Sequence, residues 1–420
     1  MAPTRKHIDD ILARVNFPLY TIQMLSNRHV LVGGGGGSSK TGVANGFEIF
    51  EIAHDGKKFI AEEVTRHETG PSVVMNCSSY SNSKHSYLVA GQESHCQLYS
   101  VDSVLVRDED NVENVGENHT EVRQRKAKPK EQTDNNRNVK KRLKFNIKPM
   151  DSVQTDFNGQ EPLLRVMRIG HNGKMLATGG TDNTIKLWKF PNLEPLATLK
   201  AHEKEIDDID FSHHGNFLIT VAKDGLAVLW DSLKGKELNR LEWKQPEGSK
   251  YLYKRCRFGL IEGLDEKRSA LYMLANPTGV ARKQKSYLQQ WLAEGGHLKN
   301  SIEFDESLSA LAVRDDGRFV AVGTMFSGSV SIHAAFSLQK VLNISGAHSM
   351  FVTGLEFLPV SQDNHTATSV AEAAVLSISV DNHVCIHTLP FRKTMPAWIG
   401  ILILVCTLFM TFVFCSYLRI

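Results

Sequence analysis

The sequence predicts an all-β fold built from a repeated blade-like unit, followed by a single C-terminal transmembrane helix. Three observations predict it: a motif that recurs along the chain, seven positions that close such motifs, and one long uncharged apolar run near the C-terminus. The 420 residues are sufficient for one large domain, or for two ordinary domains, with a substantial core.

The repeated motif is a strand, a tight turn and a second strand that ends on an aromatic residue. Residues 177–188 (ATGGTDNTIKLW) align with residues 219–230 (ITVAKDGLAVLW), so Trp188 and Trp230 lie 42 residues apart. This period is typical of WD-type β-propeller blades. The motifs close at seven positions, namely Phe50, Tyr99, Trp188, Trp230, Trp291, His333 and His387. The sequence therefore predicts a seven-bladed propeller over residues 1–390.

Four polar or aromatic residues of the clearest repeat could be mistaken for a catalytic triad. They are His202, Thr220, Asp224 and Trp230. In WD-type blades such residues form a hydrogen-bond network that holds strands together, and nothing here activates a serine nucleophile. We expect a structural network.

A charged segment, residues 107–149, accounts for the doubled spacing between Tyr99 and Trp188. It is acidic first and then basic, with the runs RQRKAKPK at 123–130 and KKRLK at 140–144. High charge and few apolar residues predict a disordered insertion. A solvated loop is the favoured interpretation, and nuclear import, nucleic-acid contact and binding to anionic lipid remain open.

The run AWIGILILVCTLFMTFVFCSYL at 397–418 contains no charged residue. A helix of 22 residues is about 33 Å long, enough to cross the hydrocarbon core of a bilayer. Arg392 and Lys393 precede it, and only residues 419–420 follow as a luminal tail. The positive-inside bias then predicts that the propeller faces the cytosol.

The composition of the whole chain excludes few classes of function. The net charge is +3, and the six cysteines show neither a CxxC pair nor metal-ligand spacing. This usage indicates reduced thiols in a cytosolic compartment. No charged leader with an apolar core opens the chain, so we expect no cleaved signal peptide.

Residues 33–46, GGGGGSSKTGVANG, resemble a phosphate-binding P-loop but lack its signature. Ser39 stands where the glycine before Lys-Thr is required, and the segment that follows alternates with the period of a strand rather than opening a helix. Two interpretations remain, a disordered hairpin linker and a structured functional loop. A propeller normally binds partners, so a scaffold is the default function, and an enzyme acting on small molecules finds no support in the residues.

The chain resembles the Sec twelve family. The resemblance is carried by the glycines at 34–37 followed by GVAN at 42–45, by residues 153–157 and 335–339, and by the C-terminal run. It covers essentially the whole chain. The combination of glycine loop and anchor is specific, whereas a WD-like repeat alone is not.

The resemblance implies a guanine nucleotide exchange factor for a Sar-type small GTPase at the endoplasmic reticulum membrane, which starts coat protein complex II budding and performs no covalent chemistry. It implies that the loop displaces the nucleotide-holding switch region, with Asn45, preceded by Gly42 and Val43, offering its amide to the GTPase. It also implies a potassium ion, which we expect on the backbone carbonyls of Gly36, Ser39 and Val43.

Two alternatives remain open. The basic half of the insertion favours a DNA-binding transcription regulator with a nuclear pool, although an uncharged 22-residue span argues against a free nuclear protein. The other alternative is a membrane-anchored WD-repeat scaffold without exchange activity.

Overall fold

The computed structural model describes residues 4–6, 10–37, 42–82, 84–107, 141–261, 269–279, 284–360, 370–391 and 397–418. These residues form 29 strands and one helix. The first ten strands are β1 (Thr4–Lys6), β2 (Ile11–Arg14), β3 (Leu19–Met24), β4 (His29–Gly35), β5 (Asn45–His54), β6 (Phe59–Glu68), β7 (Val74–Ser81), β8 (Ser86–Gln92), β9 (His95–Arg107) and β10 (Lys141–Gln154). The next ten are β11 (Leu164–Ile169), β12 (Met175–Gly180), β13 (Ile185–Lys189), β14 (Glu194–Leu199), β15 (Ile206–Phe211), β16 (Phe217–Ala222), β17 (Ala227–Asp231), β18 (Lys236–Arg240), β19 (Tyr251–Leu260) and β20 (Ser269–Pro277). The last are β21 (Ser286–Leu292), β22 (His297–Phe304), β23 (Leu308–Val313), β24 (Phe319–Thr324), β25 (Val330–Ala334), β26 (Lys340–Ser345), β27 (Val352–Phe357), β28 (Ala373–Ser379), β29 (His383–Leu389) and the helix α1 (Ala397–Leu418).

The strands form seven sheets, and each sheet is one blade of a propeller. Blades 1 to 6 are β3–β6, β7–β10, β11–β14, β15–β18, β19–β22 and β23–β26, and β1 adds a parallel fifth strand to blade 6. Blade 7 combines β27–β29 with β2, so an N-terminal strand closes the ring against a C-terminal one. All seven closing residues lie in the third strand of their blades. The predicted seven-bladed propeller is confirmed.

Apolar side chains on both faces of the blades fill the spaces between neighbouring blades. In β4, Val30 and Val32 pack toward blade 7, whereas Leu31, between them, packs toward blade 2. Successive residues of a strand point to opposite faces, so a strand covered on both sides needs an uninterrupted apolar run. None of the apolar clusters among the described residues contains a residue of α1.

The inner strands run in the same direction around the ring, which gives the propeller two distinct faces. For example, Asn76 near the start of β7 donates to the carbonyl of Leu164 at the start of β11, over 3.0 Å. Turns between second and third strands, including the one between β4 and β5, therefore share one face, which we name the glycine-loop face. The opposite face, the base, carries the turns between third and fourth strands and the end of β29.

The polar residues of the clearest repeat form the structural network that the sequence predicts. His202 Nε2 and Trp230 Nε1 both lie 2.9 Å from Thr220 Oγ1, and His202 Nδ1 lies 3.1 Å from an Asp224 oxygen. Blade 7 repeats the arrangement, with His348 Nδ1 3.1 Å from Asp381 Oδ1. Burial disfavours the charge on Asp381, but the hydrogen bond and charge of His348 outweigh it and hold the pKa of this carboxyl well below its usual range.

The predicted insertion is shorter than the sequence indicated. Residues 141–149 belong to β10 and pair antiparallel with β9, so the predicted boundary at residue 149 is wrong. The reason is local: Phe145 and Ile147 alternate with polar residues and are buried against blades 1 and 2. The rest of the segment, 108–140, lies outside the described residues, and its proposed roles, including DNA binding, stay predictions.

The C-terminal run forms one helix, α1, of 22 residues. Its side chains are described at positions 399–414 and 416–417. Within the part of the chain that the structure describes, no helix has the length and apolar character needed to cross a membrane. The membrane span stays a prediction.

Candidate functional site

The five-glycine run is divided between a strand and a turn. Gly33, Gly34 and Gly35 lie in β4, where Gly34 pairs with Gly46 and Gly35 pairs with Asn45 of β5. Only the last two glycines of the run belong to the turn. The described residues on both sides of the turn are strands, as the alternation after the glycines predicts, and a strand does not supply the helix N-terminus on which a P-loop depends.

Two of the strand glycines are required by close backbone packing. A Cβ on Gly34 would lie 1.9 Å from the carbonyl oxygen of Pro18, and one on Gly46 would lie 2.2 Å from that of His67. Strands β3 and β6 thus approach the hairpin closely from either side. These glycines hold the root of the loop in place.

Glycine is favoured in the turn for a different reason. Gly37 and Gly42 adopt φ of 81° and 77°, and a Cβ on either would meet no atom within 4 Å. Backbone conformation, not space, therefore favours glycine at these positions. Gly42 is exposed, whereas Val43 is half-buried and packs on the core between blades 7 and 1.

Asn45 ties the loop to the next turn of the same face. Its Nδ2 donates to the carbonyls of Gly37 (3.2 Å) and Gly70 (2.9 Å), and its Oδ1 accepts from the N–H of Gly37 (2.9 Å). The side chain is buried, with the residue only 5% exposed. Gly70 could not be predicted as a partner from the sequence, because nothing local links it to Asn45 across 25 positions.

The structure places the Asn45 amide inside the protein with its polar atoms bonded to backbone. In this position the side chain ties the loop to Gly70, and the offer of its amide to a GTPase stays a prediction. Of the predicted potassium ligands, Gly36 and Val43 are half-buried at the two ends of the turn, and Ser39 lies outside the described residues.

Comparison with known proteins decides the family. The WD40 family (WD domain, G-beta repeat) matches residues 152–189 and 193–231. Guanine nucleotide-exchange factor SEC12 of Mus musculus is 32% identical over 409 residues, covering 95% of both chains. The chain belongs to the SEC12 family of guanine nucleotide-exchange factors. The SEC12 protein of Rattus norvegicus is 31% identical over 95% of each chain, and SEC12-like protein 1 of Arabidopsis thaliana is 26% identical over 52%.

An exposed apolar patch accompanies the SEC12 glycine loop on the same face, and the sequence analysis did not find it. Phe326, in the turn between β24 and β25, is 76% exposed, and Met350 and Phe351, before β27, are 48% and 38% exposed. The two segments are joined, since His348 N donates to Gly328 O over 3.0 Å. We name Phe326, Met350 and Phe351 the apolar patch. Exposed apolar side chains that are grouped on one face are typical of protein-binding surfaces.

The central channel of this SEC12-family propeller holds a cavity of about 480 Å³. In its wall Asp208 accepts from Arg257 (2.6 Å) and from the N–H of Cys256 (3.0 Å). Burial raises the pKa of Glu356, which also lines the channel, to about 7. Among the described residues no group of three His, Cys, Asp or Glu side chains could hold a metal ion.

Proposed function

We propose that this SEC12-family exchange factor acts on a Sar-type small GTPase at the endoplasmic reticulum membrane and promotes GDP release to start coat protein complex II assembly. The observation that carries the proposal is the glycine loop, which is anchored from within by Asn45 in a chain related to SEC12 over 95% of its length. The loop lies on the face that also carries the apolar patch, so one surface offers both a docking area and a projecting element.

The mechanism needs binding energy and no covalent step. A factor that binds the nucleotide-free GTPase more tightly than its GDP form must weaken GDP binding by the same factor, because linkage between two ligands is reciprocal. To act on the switch region, the loop must hold its shape while it displaces another segment. The hydrogen bonds of Asn45 to Gly37 and Gly70 supply that shape.

The donor chemistry of the loop fits a potassium ion. Its described residues, Gly36, Gly37 and 42–44, offer backbone carbonyls and carry no carboxylate, which suits a weakly charged cation held by neutral oxygens. We propose the carbonyls of Gly36, Ser39 and Val43 as ligands. The bound ion would supply a fixed charge that orders the turn, and the chain itself supplies the anchoring through Asn45.

We also propose that α1 anchors the propeller in the membrane with the propeller in the cytosol. Support comes from its 22 residues without a charge and from Arg392 and Lys393 before it. An anchored exchange factor would activate the GTPase beside the bilayer that receives it.

Release of fluorescent GDP from a purified Sar-type GTPase tests the proposal. Residues 1–391 should accelerate release in potassium buffer, and replacement of potassium by sodium should reduce the acceleration. Hydrogen exchange of the loop amides in the two buffers, without the GTPase, provides a second readout for the ion. If wild-type protein leaves GDP release at its intrinsic rate, the proposed function is wrong, whereas an unchanged rate in sodium removes only the ion.

Substitution of the apolar patch should weaken docking of the GTPase. Phe326→Ser removes a side chain that is 76% exposed, so the fold should be unaffected. Because a buried Phe contributes about 1.5–3 kcal/mol, the GTPase concentration needed for half-maximal exchange should rise about tenfold. Phe336→Ser, at a residue of similar exposure on the base, is the matched control. Equal effects of the two substitutions would exclude the patch as the docking surface.

A further inference from the structure

We propose that the base of the propeller docks on the bilayer surface through three exposed apolar tips, Leu233, Phe336 and Phe391. They are 71%, 71% and 57% exposed. The occupant is a lipid surface that contains anionic headgroups. The proposal rests on the anchor proposed above, because α1 brings this face to the membrane, but it is independent of exchange activity.

The tips occupy related positions of the repeat. Leu233 and Phe336 each follow the closing residue of their blade, Trp230 or His333, by three positions and so lie in the turn between third and fourth strands. Phe391 follows the end of β29, the third strand of blade 7, and so lies on the same face as the other two tips. Single exposed apolar residues are common on protein surfaces. These three, however, all lie on the same face of the propeller, the one beside the proposed anchor.

The tips on blades 6 and 7 belong to one connected part of the base. Ala335 N donates to Arg318 O over 2.9 Å, and Arg318 Nη2 lies 3.6 Å from Glu372 Oε1. Glu372 N in turn donates to Leu389 O over 2.8 Å, two positions before Phe391. Leu233 lies apart on blade 4. Three separated tips fit a flat, fluid surface better than a groove on a folded partner.

Charge separates the two faces. Described base residues outside the strands, from Asp10 to Phe391, include eight Lys or Arg and six Asp or Glu, together with four histidines. The corresponding turns of the glycine-loop face include six Lys or Arg and twelve Asp or Glu. Basic residues also flank the tips: Lys234 is 78% exposed and Arg318 is 44% exposed, and each lies near an acidic side chain, Asp231 at 3.7 Å and Glu372 at 3.6 Å. Counted over the described residues, the charge of the base favours an anionic bilayer more than that of the opposite face does.

The anchor limits how far the base can move from the membrane. Six peptide units separate Phe391 from the first residue of α1, and a fully extended chain of that length spans about 20 Å. Phe391, held within that distance, can enter the headgroup region, and the other tips of the same face can follow it, since an amphipathic surface gains from both apolar burial and charge. Docking in this way turns the glycine loop toward the cytosol, where the GTPase arrives.

Co-sedimentation with vesicles tests the proposal. Residues 1–391 suit this test because β2 closes the ring and the described apolar clusters exclude α1. The fragment should bind phosphatidylcholine–phosphatidylserine vesicles more tightly than phosphatidylcholine vesicles, and added salt should weaken binding. Leu233→Ser and Phe336→Ser should each lower the partition coefficient about fivefold, and Phe326→Ser, on the opposite face, should not change it.

Two further variants keep the result interpretable. Lys234→Glu reverses an exposed charge beside a tip, at the cost of a surface ion pair with Asp231 (3.7 Å), and should weaken binding to the anionic vesicles alone. A chain in which 108–140 is replaced by a short Gly-Ser turn should retain binding. Loss of binding in that chain, equal binding by the tip variants and wild type, or no binding by wild type would each overturn the proposal. Exchange in solution should be unchanged in the tip variants, so failure here and failure of the proposed function are distinguishable.

Discussion

Asn45→Ala is expected to lower the acceleration of GDP release by at least about tenfold, while the propeller stays folded. The substitution removes three hydrogen bonds and leaves the carbonyl of Gly70 and both backbone groups of Gly37 without these partners. Gly37 is half-buried and Gly70 is exposed, so each lost hydrogen bond should cost about 0.5–1.5 kcal/mol, and a total of 1.4 kcal/mol already corresponds to a factor of ten in rate. The cost falls on the loop, which is the element that must keep its shape against the GTPase.

The positioning role has a signature in the free protein. Hydrogen exchange of the backbone amides at 36–44 and at Thr69 and Gly70 should accelerate in Asn45→Ala before any GTPase is added, whereas exchange at these positions would be unchanged if the Asn45 amide only contacted the GTPase. Asn45→Asp should be equally inactive, because the carboxylate can accept from Gly37 but cannot donate to the two carbonyls.

Asn76→Ala is the matched control for Asn45→Ala. Asn76 also donates its amide to two backbone carbonyls, those of Leu164 and Arg165, but between blades 2 and 3. It should lower the stability of the propeller and leave exchange near the wild-type value. Full exchange activity in Asn45→Ala would remove Asn45 from the site and leave the exchange function standing.

The repeat made the propeller predictable from the sequence. A blade closes on a residue that must be buried in its third strand, and that requirement survives even where the aromatic side chain is replaced, as at His333 and His387. The hydrogen-bond network around His202 was predictable for the same reason, since its partners recur at fixed positions. The boundary of the insertion at residue 149 was not predictable from composition. The composition is an average over the whole segment, and it hides the alternation of apolar and polar residues in the last part, which forms a strand.

The chemistry of the glycine loop was only partly predictable. The run of glycines indicated a special backbone, but the sequence does not distinguish Gly34, which is limited by the carbonyl of Pro18, from Gly37, which is limited by its own φ. The partner of Asn45 at Gly70 depends on the register between β5 and β6, where Gly46 pairs with Glu68. The apolar patch depends on which turns share a face, and that is a property of the closed ring.

Gly35→Ala is the second substitution with a large expected effect. A Cβ on Gly35 would lie 2.1 Å from Asn45 Oδ1 and 2.7 Å from Asn45 Cα, and Gly35 adopts φ of 145°. The new methyl group therefore displaces the Asn45 amide from its position between Gly37 and Gly70. We expect exchange to fall by about tenfold or more, as in Asn45→Ala, together with a loss of about 1–3 kcal/mol in the free energy of unfolding from strain and unpaired polar groups.

The effects of Gly35→Ala and Asn45→Ala on exchange activity should not be additive, because both substitutions remove the same set of hydrogen bonds. In a double-mutant cycle, Gly35→Ala should cost little further exchange activity once Asn45 is alanine, because the hydrogen bonds that it disturbs are already absent. The contact with Cα at position 45 and the φ of 145° remain in the double variant, so the cost in the free energy of unfolding should persist. Gly37→Ala serves as the control: its Cβ meets open space, and only the unfavourable φ of 81° costs about 1 kcal/mol. Additive losses for Gly35→Ala and Asn45→Ala would contradict a shared anchoring role and would mean that Gly35 acts on the loop by another route.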